Sequence, residues 1–305
     1  MKNCVKKGFV LAFALLLCVG LVPASVSAAT KSPGVSYQTQ IENIGWEADA
    51  GIGIKSNGDT SGTSGRSLRL EGIKINLDSQ GYDLGVSYQT HIQDIGWEAD
   101  AGRGWKSNGV MSGTQGESKR LEAIQIKLTG TDADKFDIYY QVHAQNYGWL
   151  DWAKNGESAG TAGLSLRLEA IRIVILPKGS EAPGSTESSY ISADAFLSTI
   201  KGDWHDETNN ISLKIGAPNT DAGLLWLGAK WYEYRYHITD INRNGKSGTV
   251  EAYKMNYYKF TSGGHEKIEI DVNPPDVYTY SFENNTITKY KHTGDNVQTT
   301  IYTRQ

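Results

Sequence analysis

The stretch Tyr88-Gln89-Thr90-His91-Ile92-Gln93-Asp94-Ile95-Gly96-Trp97 decides how the chain is interpreted, because the sequence contains three versions of it. The earlier version runs from Tyr37 to Trp46 and the later one from Tyr140 to Trp149. Each version is followed by a Gly-Thr pair and an Arg-Leu-Glu segment, and the three Gly-Trp tryptophans lie 51 and then 52 residues apart. A fixed period of this size predicts three repeated structural units.

The end of each repeat alternates between apolar and polar residues, which predicts a half-buried strand. In the first repeat Ile73, Ile75 and Leu77 alternate with Lys74 and Asn76. The same pattern recurs at 124–128 and 171–175. The Tyr88 strand alternates too, but its phase breaks before Trp97, so we expect a bulge or turn near 94–96.

The first and second repeats carry a five-residue insert just after the Gly-Trp pair, where we expect a surface loop. Counting back eight residues from the Gly of the Gly-Thr pair aligns Trp105 with Trp152 and with Ile54. Three all-β units of this size suit a closed pseudo-threefold arrangement, because closure buries exposed faces and removes free edges. We predict a β-prism-like domain over residues 31–178, with a β-trefoil as the alternative.

Length and charge limit the remaining possibilities. The 305 residues suggest two domains. Residues 1–28 combine a basic start, an apolar run and small residues, and are predicted to be a signal peptide containing both cysteines, Cys4 and Cys18. Its removal takes away three lysines and leaves a net charge of −7, which argues against nucleic acid as a partner. No later stretch is apolar enough to span a membrane.

The C-terminal part has a different composition. Residues 179–189 are predicted to be a linker, and 190–305 a small antiparallel β-barrel preceded by a short helix. Ser192 or Asp194 would cap that helix, which runs to Ile200. Tyrosine-rich strands are predicted at 224–227, 230–238, 249–260, 267–272, 277–282, 286–290 and 298–302.

The third repeat carries a set of residues that resembles the ChW repeat, the clostridial hydrophobic repeat with a characteristic Trp. These residues are Gly148-Trp149, Trp152, Asn155-Gly156, Ala159-Gly160-Thr161 and Arg167-Leu168-Glu169-Ala170-Ile171. The resemblance covers about residues 34–176 and implies a secreted or surface protein of Gram-positive bacteria, in which such repeats are non-catalytic partners of adhesion or polysaccharide-degrading modules. Ile54 departs from the pattern. More weakly, Gly202-Asp203-Trp204 after the helix resembles the start of a lipocalin-type barrel.

Tryptophans and neighbouring polar side chains form the candidate ligand site. An indole ring can stack on a sugar while amide and imidazole groups bind its hydroxyls. The candidates are Trp105, Trp152, Trp97, Trp149, Gln89, His91, Gln141 and His143. The alternative is that each Gly-Trp seals the core of its repeat, which we favour for Trp46, Trp97 and Trp149. The Arg-Leu-Glu segments predict structural ion pairs.

One segment matches the spacing of a calcium loop: Asp240, Asn242, Asn244 and then Glu251. Because Asn244-Gly245 is also a strong hairpin signal, a plain hairpin is the favoured interpretation. No other cofactor is expected. Catalysis finds little support, although Asp203 and Asp206 would be the acid and base of a hydrolase.

The sequence therefore predicts a secreted or cell-surface, non-catalytic, monomeric binding protein whose repeats attach to extracellular polysaccharide. The alternatives are a structural adhesin whose repeats bind a surface protein, and the hydrolase.

Overall fold

The computed structural model describes the backbone of residues 31–305, except 208–210, 216–224, 228–231, 262–263 and 294–295. Side chains are described outside 208–237, 253–275 and 292–295. The predicted signal peptide lies outside the described residues. Within the described part, no helix combines the length and the apolar character needed to cross a bilayer. Residues 32–305 form one compact unit.

Each repeat contains two long strands and three short ones. The first repeat has β1 (Gly34–Ile41), β2 (Gly45–Trp46), β3 (Lys55–Ser56), β4 (Ser61–Gly62) and β5 (Leu70–Asp78). The second has β6 (Gly85–Ile92), β7 (Gly96–Trp97), β8 (Lys106–Ser107), β9 (Ser112–Gly113) and β10 (Leu121–Thr129). A 3₁₀ turn (Ala133–Lys135) precedes the third, which has β11 (Phe136–Ala144), β12 (Gly148–Trp149), β13 (Ala153–Lys154), β14 (Ser158–Ala162) and β15 (Leu168–Pro177).

The repeats exchange strands in a ring. The first sheet, β2-β1-β5-β9, is completed by a strand of the second repeat. The middle sheet, β7-β6-β10-β14, is completed by the third repeat, and the third sheet, β12-β11-β15-β4, by the first. Three sheets around a closed ring match the predicted β-prism-like arrangement; the strands do not share the single barrel of a trefoil.

Three buried tyrosines join neighbouring repeats. The Tyr88 hydroxyl donates to the Val110 carbonyl at 2.5 Å and accepts the Ile75 N–H of the first repeat at 3.0 Å. In the same way, the Tyr37 hydroxyl accepts the Ile173 N–H of the third repeat. The Tyr140 hydroxyl forms a hydrogen bond with the backbone at Ile126 of the second repeat. Burial raises the pKa of Tyr37 and of Tyr88 to about 12, so both stay protonated donors.

A three-residue turn separates each long strand from its Gly-Trp pair. Asn43, Asp94 and Asn146 occupy left-handed conformations there, with φ of 62°, 60° and 69°. Asn and Asp tolerate this region better than most residues. The phase break predicted near 94–96 is thus a turn.

The C-terminal part forms a closed antiparallel barrel. A short strand, β16 (Tyr190–Ser192), and a helix, α1 (Ala193–Ile200), lead into it. The barrel strands are β17 (Gly202–Asp206), β18 (Ile211–Ile215), β19 (Leu225–Leu227), β20 (Tyr232–Ile241), β21 (Ser247–Thr261), β22 (Gly264–Glu283), β23 (Thr286–Thr293) and β24 (Asn296–Arg304). Each pairs with the next, and β24 returns to β17. Of the two predicted caps, Ser192 is the one that caps the helix, since its hydroxyl accepts the Ala195 N–H.

The predicted separation of the strands 267–272 and 277–282 is wrong, because β22 runs on through Pro274 and Pro275. The partners of β21 jump from Asp276, opposite Ala252, to Asp271, opposite Lys254. The two prolines lie in this irregularity, where their missing N–H groups interrupt no ladder bond.

One end of the barrel is filled by a stacked cluster. Trp204 is fully buried, and its Nε1 donates to the Ile200 carbonyl at 2.9 Å. The Arg304 guanidinium lies 4.5 Å from the centre of the Trp204 ring, and Phe282 packs edge-on at 5.9 Å. This cluster ties the helix to three strands. Further along, the buried Lys289 ammonium rests on the Tyr278 ring, and burial lowers the Lys289 pKa to about 8.

Candidate functional site

The outer face of the middle sheet brings several of the predicted ligand residues together. Residues paired directly across strands point to the same face. One such row consists of Trp97, His91, Ala123, Gly160 and Tyr190. Because Ala123 and Gly160 are small, the side chains of Trp97 and Tyr190 meet above them within hydrogen-bonding reach. The pKa of Tyr190 is raised, chiefly by burial.

The next row is a chain of amides. Gln89 Nε2 donates to Gln125 Oε1 at 2.7 Å, and Gln125 Nε2 donates to the Ser158 hydroxyl at 3.0 Å. Gln89 Oε1 accepts the Ala99 N–H at 2.9 Å, which holds the inserted loop against the sheet. Gln89 is only 6% exposed, so Gln125 is the amide that remains within reach of a ligand.

Trp105 lies beside this second row. It directly precedes β8, whose Lys106 and Ser107 pair with Tyr88 and Ser87 of β6. The Lys127 ammonium is 4.2 Å from the centre of its ring, a cation–π contact, and the indole is half-buried. We call this surface the middle-sheet face and define it by Trp97, His91, Gln125, Trp105, Lys127 and Tyr190.

The histidines of the candidate site hold the tryptophans in place. His91 Nδ1 lies 3.0 Å from Glu122 Oε2, close enough for an ion pair but outside hydrogen-bonding geometry. Arg120 Nε donates to the other carboxylate oxygen at 2.8 Å. Trp97 meets the imidazole edge-to-face at 5.4 Å. His143, Glu169, Arg167 and Trp149 repeat this arrangement in the third repeat. The predicted Arg–Glu ion pairs are thus present, and they orient the imidazoles.

The three Gly-Trp tryptophans differ in exposure and in the side chain that contacts the indole ring. Trp46 is only 6% exposed, under the Lys74 ammonium at 4.3 Å. Trp149 is half-buried under the Arg172 guanidinium at 4.2 Å. Gln125 takes the place of these cations in the second repeat, where Trp97 contacts Tyr190. Core packing therefore describes Trp46, and partial exposure describes the other two.

The equivalent candidates of the third repeat face protein. The backbone N–H of Trp152 donates to the Ser185 carbonyl at 2.8 Å, and Gly184 lies against the Trp152 indole. Gln141 Nε2 donates to the Leu150 carbonyl at 2.8 Å. The segment predicted to be a linker therefore packs on this repeat and against the Trp152 indole, whereas the Trp105 indole contacts the Lys127 ammonium.

The predicted calcium segment forms the hairpin between β20 and β21. Asn242 Oδ1 accepts the N–H groups of Lys246 and Ser247, both at 3.0 Å, and Asn244 Oδ1 accepts the Lys246 N–H at 2.9 Å. Asp240 Oδ1 lies 3.1 Å from the Tyr147 hydroxyl oxygen, while Glu251 lies further along β21. The Asn242 and Asn244 oxygens are thus engaged by backbone donors, and calcium binding stays a prediction. The described residues contain no group of three or more His, Cys, Asp or Glu side chains suited to a metal.

The same hairpin docks the barrel on the third repeat. The Tyr147 hydroxyl donates to the Ile241 carbonyl at 2.5 Å, and Arg243 donates to the carbonyls of Tyr147 and Trp149. Sequence reasoning missed this contact, although Tyr147 replaces Ile44 and Ile95 of the other repeats. An open cleft of about 420 Å³ lies between this hairpin, α1 and the segment around Tyr190.

The proposed hydrolase pair is not brought together. Asp206 is buried, whereas Asp203 is exposed, and the two lie three residues apart on β17. Residues separated by an odd number point to opposite faces of a strand. The two carboxylates therefore cannot flank one substrate bond from this strand.

Comparison with known families supports the repeat assignment. Three segments, residues 40–79, 91–130 and 143–177, match the family described as Clostridial hydrophobic W, or ChW. No curated protein and no solved structure gives a match, so the resemblance of the barrel to lipocalins stays a prediction. The chain therefore carries three ChW repeats, and these repeats build the ring of three sheets.

Proposed function

We propose that this chain is an extracellular, non-catalytic binding protein whose middle-sheet face attaches to polysaccharide. The extracellular location follows from the signal peptide predicted over residues 1–28. The presence of three ChW repeats is consistent with a surface or binding protein.

Trp105 carries the proposal. Its indole is half-exposed at the edge of the face, and Lys127 is the cation that rests on its ring. An aromatic ring at such a rim can stack on the apolar face of a sugar. The Gln125 amide in the neighbouring row can bind hydroxyl groups, because it offers both donors and an acceptor. Trp97 and Tyr190 extend the aromatic surface along the sheet.

A protein partner is the second candidate, and one observation favours it. Ile52 and Ile54, on the loop of the first repeat that corresponds to the Trp105 loop, are 44% and 60% exposed. Exposed apolar residues close together are a feature of protein contact sites. The two loops therefore differ in chemistry, and substitutions in each of them separate the two functions.

Trp105→Ala is expected to weaken retention on insoluble polysaccharide about five- to thirtyfold, which corresponds to about 1–2 kcal/mol of lost stacking. The measurement is depletion from solution by peptidoglycan, cellulose and chitin at several protein concentrations. Ile54→Ala is the matched control, because it changes the equivalent loop position without removing an indole.

Retention of Trp105→Ala equal to that of the wild type would remove this face from the account. Failure of the wild type to bind any polysaccharide, with unchanged tryptophan fluorescence, would remove the glycan function. A loss of retention caused by Ile54→Ala alone would instead assign the polysaccharide contact to the loop of the first repeat.

A further inference from the structure

Each of the three sheets has an equivalent glycine near its outer edge, and the hydrogen-bond acceptor for the N–H of this glycine is not the same in all three. Gly62 and Gly113 donate this N–H to buried carboxylates, to Glu47 Oε1 at 3.1 Å and to Glu98 Oε1 at 3.4 Å. The equivalent Gly160 donates to the carbonyl of Ser189, the residue just before β16, at 2.9 Å. Repeats that are otherwise alike therefore differ in what covers the edge.

Each carboxylate belongs to a buried polar set. Glu98 is fully buried, and its Oε2 accepts the Thr90 N–H at 3.1 Å, the Thr90 hydroxyl at 3.2 Å and the Ser112 hydroxyl. Glu47 has the same bonds to Thr39 and Ser61 in the first repeat. Such a carboxylate is stable only because several donors replace its hydration.

The third repeat replaces the whole set with apolar residues. Val142, Leu150 and Ala159 stand where the second repeat has Thr90, Glu98 and Ser112, and all three are fully buried. Leu150 has no oxygen to accept the Gly160 N–H. A buried N–H without an acceptor is costly, so this edge requires an acceptor from outside the repeat.

The acceptor, the Ser189 carbonyl, directly precedes a strand that pairs with this edge. β16 pairs in parallel with β14, with Tyr190 opposite Gly160, Ile191 opposite Thr161 and Ser192 opposite Ala162. Ile191 is 3% exposed, and Tyr190 reaches Trp97 on the outer face. In the described part of the chain, β4 and β9 end their sheets with no strand beyond them.

We propose that Glu47 and Glu98 are guard carboxylates that close two sheet edges to extended peptides, and that Leu150 makes the third edge a peptide-docking site. The ligand class is an extended segment with an aromatic residue, an aliphatic residue and a small polar residue in sequence. The occupant is the chain's own Tyr190–Ser192 segment, whose docking fixes the barrel beside the middle-sheet face. Main-chain bonds supply the attachment, and the two side chains supply the selectivity.

Two full-length variants test the proposal. The triple substitution Val142→Thr, Leu150→Glu, Ala159→Ser installs a guard in the third repeat. Its carboxylate competes for the Gly160 N–H, so amide hydrogen exchange in Tyr190–Ser192 is expected to accelerate at least about tenfold, with β11 and β15 unchanged. The reverse substitution Thr90→Val, Glu98→Leu, Ser112→Ala removes the guard from the first sheet. It is expected to bind a labelled Ser-Ser-Tyr-Ile-Ser-Ala peptide that the wild type does not bind.

Unchanged exchange in a folded first variant would overturn the role of Leu150. The second variant decides the matter if the first does not fold, because its apolar set already occurs in the third repeat. Failure of the folded second variant to bind the peptide would overturn the proposal. Equal binding of a control peptide with both Tyr and Ile replaced by Ser would overturn the stated ligand class.

Discussion

Gly113→Ala is expected to lower the free energy of unfolding of the repeat ring by about 2–6 kcal/mol. Gly113 has a φ of 109°, a region that costs other residues about 1–3 kcal/mol. An added Cβ would also lie 2.4 Å from the Glu71 carbonyl oxygen and 2.8 Å from the Gly72 Cα. Both atoms are backbone of the first repeat and cannot rotate away, so overpacking adds about 1–3 kcal/mol. Denaturant unfolding followed by tryptophan fluorescence measures the loss.

Gly102→Ala is the control for backbone strain alone. Gly102 lies in the same repeat with a φ of 73°, and an added Cβ would meet nothing within 4 Å. Its expected cost is about 1–2 kcal/mol. Equal costs for the two variants would mean that the close approach of the second repeat to the first does not stabilise the ring.

Trp204→Ala is expected to destabilise the barrel by about 3–5 kcal/mol, the usual cost of truncating a fully buried large aromatic residue. The substitution removes the ring on which Arg304 stacks and the Nε1 donor to the Ile200 carbonyl. It therefore weakens both the attachment of α1 to the barrel and the packing of the cluster around Trp204. Hydrogen exchange of β23 and β24 at increasing denaturant concentration reports the change.

Ile301→Ala is the matched control on the same barrel, because Ile301 is 57% exposed. Its expected effect is within about 0.5 kcal/mol. If Trp204→Ala costs no more than this control, the cluster of Trp204, Arg304 and Phe282 does not hold the barrel together.

The strands of the repeats could be predicted from the sequence because alternation and turn residues are local signals. Ile73 and Ile75 are buried as the alternation indicates, and Asp94 takes the left-handed conformation that shifts the phase. The exchange of β4, β9 and β14 between repeats could not be predicted. A similar short strand can complete its own sheet or its neighbour's, and only the packing of the whole ring decides between them.

The sequence predicted which residue types form the candidate site but not which of these side chains are buried by other parts of the chain. Trp105 and Trp152 are equivalent in sequence, yet Gly184 packs against the Trp152 indole and the Lys127 ammonium rests on the Trp105 indole. Trp97 depends in the same way on Tyr190, 93 residues away. The guard carboxylates were missed, although a signal existed: a Glu follows the Gly-Trp pair in two repeats and Leu150 follows it in the third.

The central claim is that the first repeat completes the sheet of the third, because this closure forms the ring that carries the binding face. Thr60 and Arg172 are neighbours across that junction, with Arg172 Nε donating to the Thr60 hydroxyl at 2.9 Å. Cysteines on neighbouring strands lie close enough for a disulfide. The chain for the test has Cys4 and Cys18 replaced by serine, so the introduced pair contains its only thiols.

Disulfide formation in the Thr60→Cys, Arg172→Cys variant is the most direct measurement, read by peptide mass after mild oxidation. The ring predicts a crosslink between these two cysteines and none in the Thr60→Cys, Lys74→Cys variant, whose pair would be adjacent only if the first repeat completed its own sheet. A crosslink in the second variant together with free thiols in the first would contradict the account.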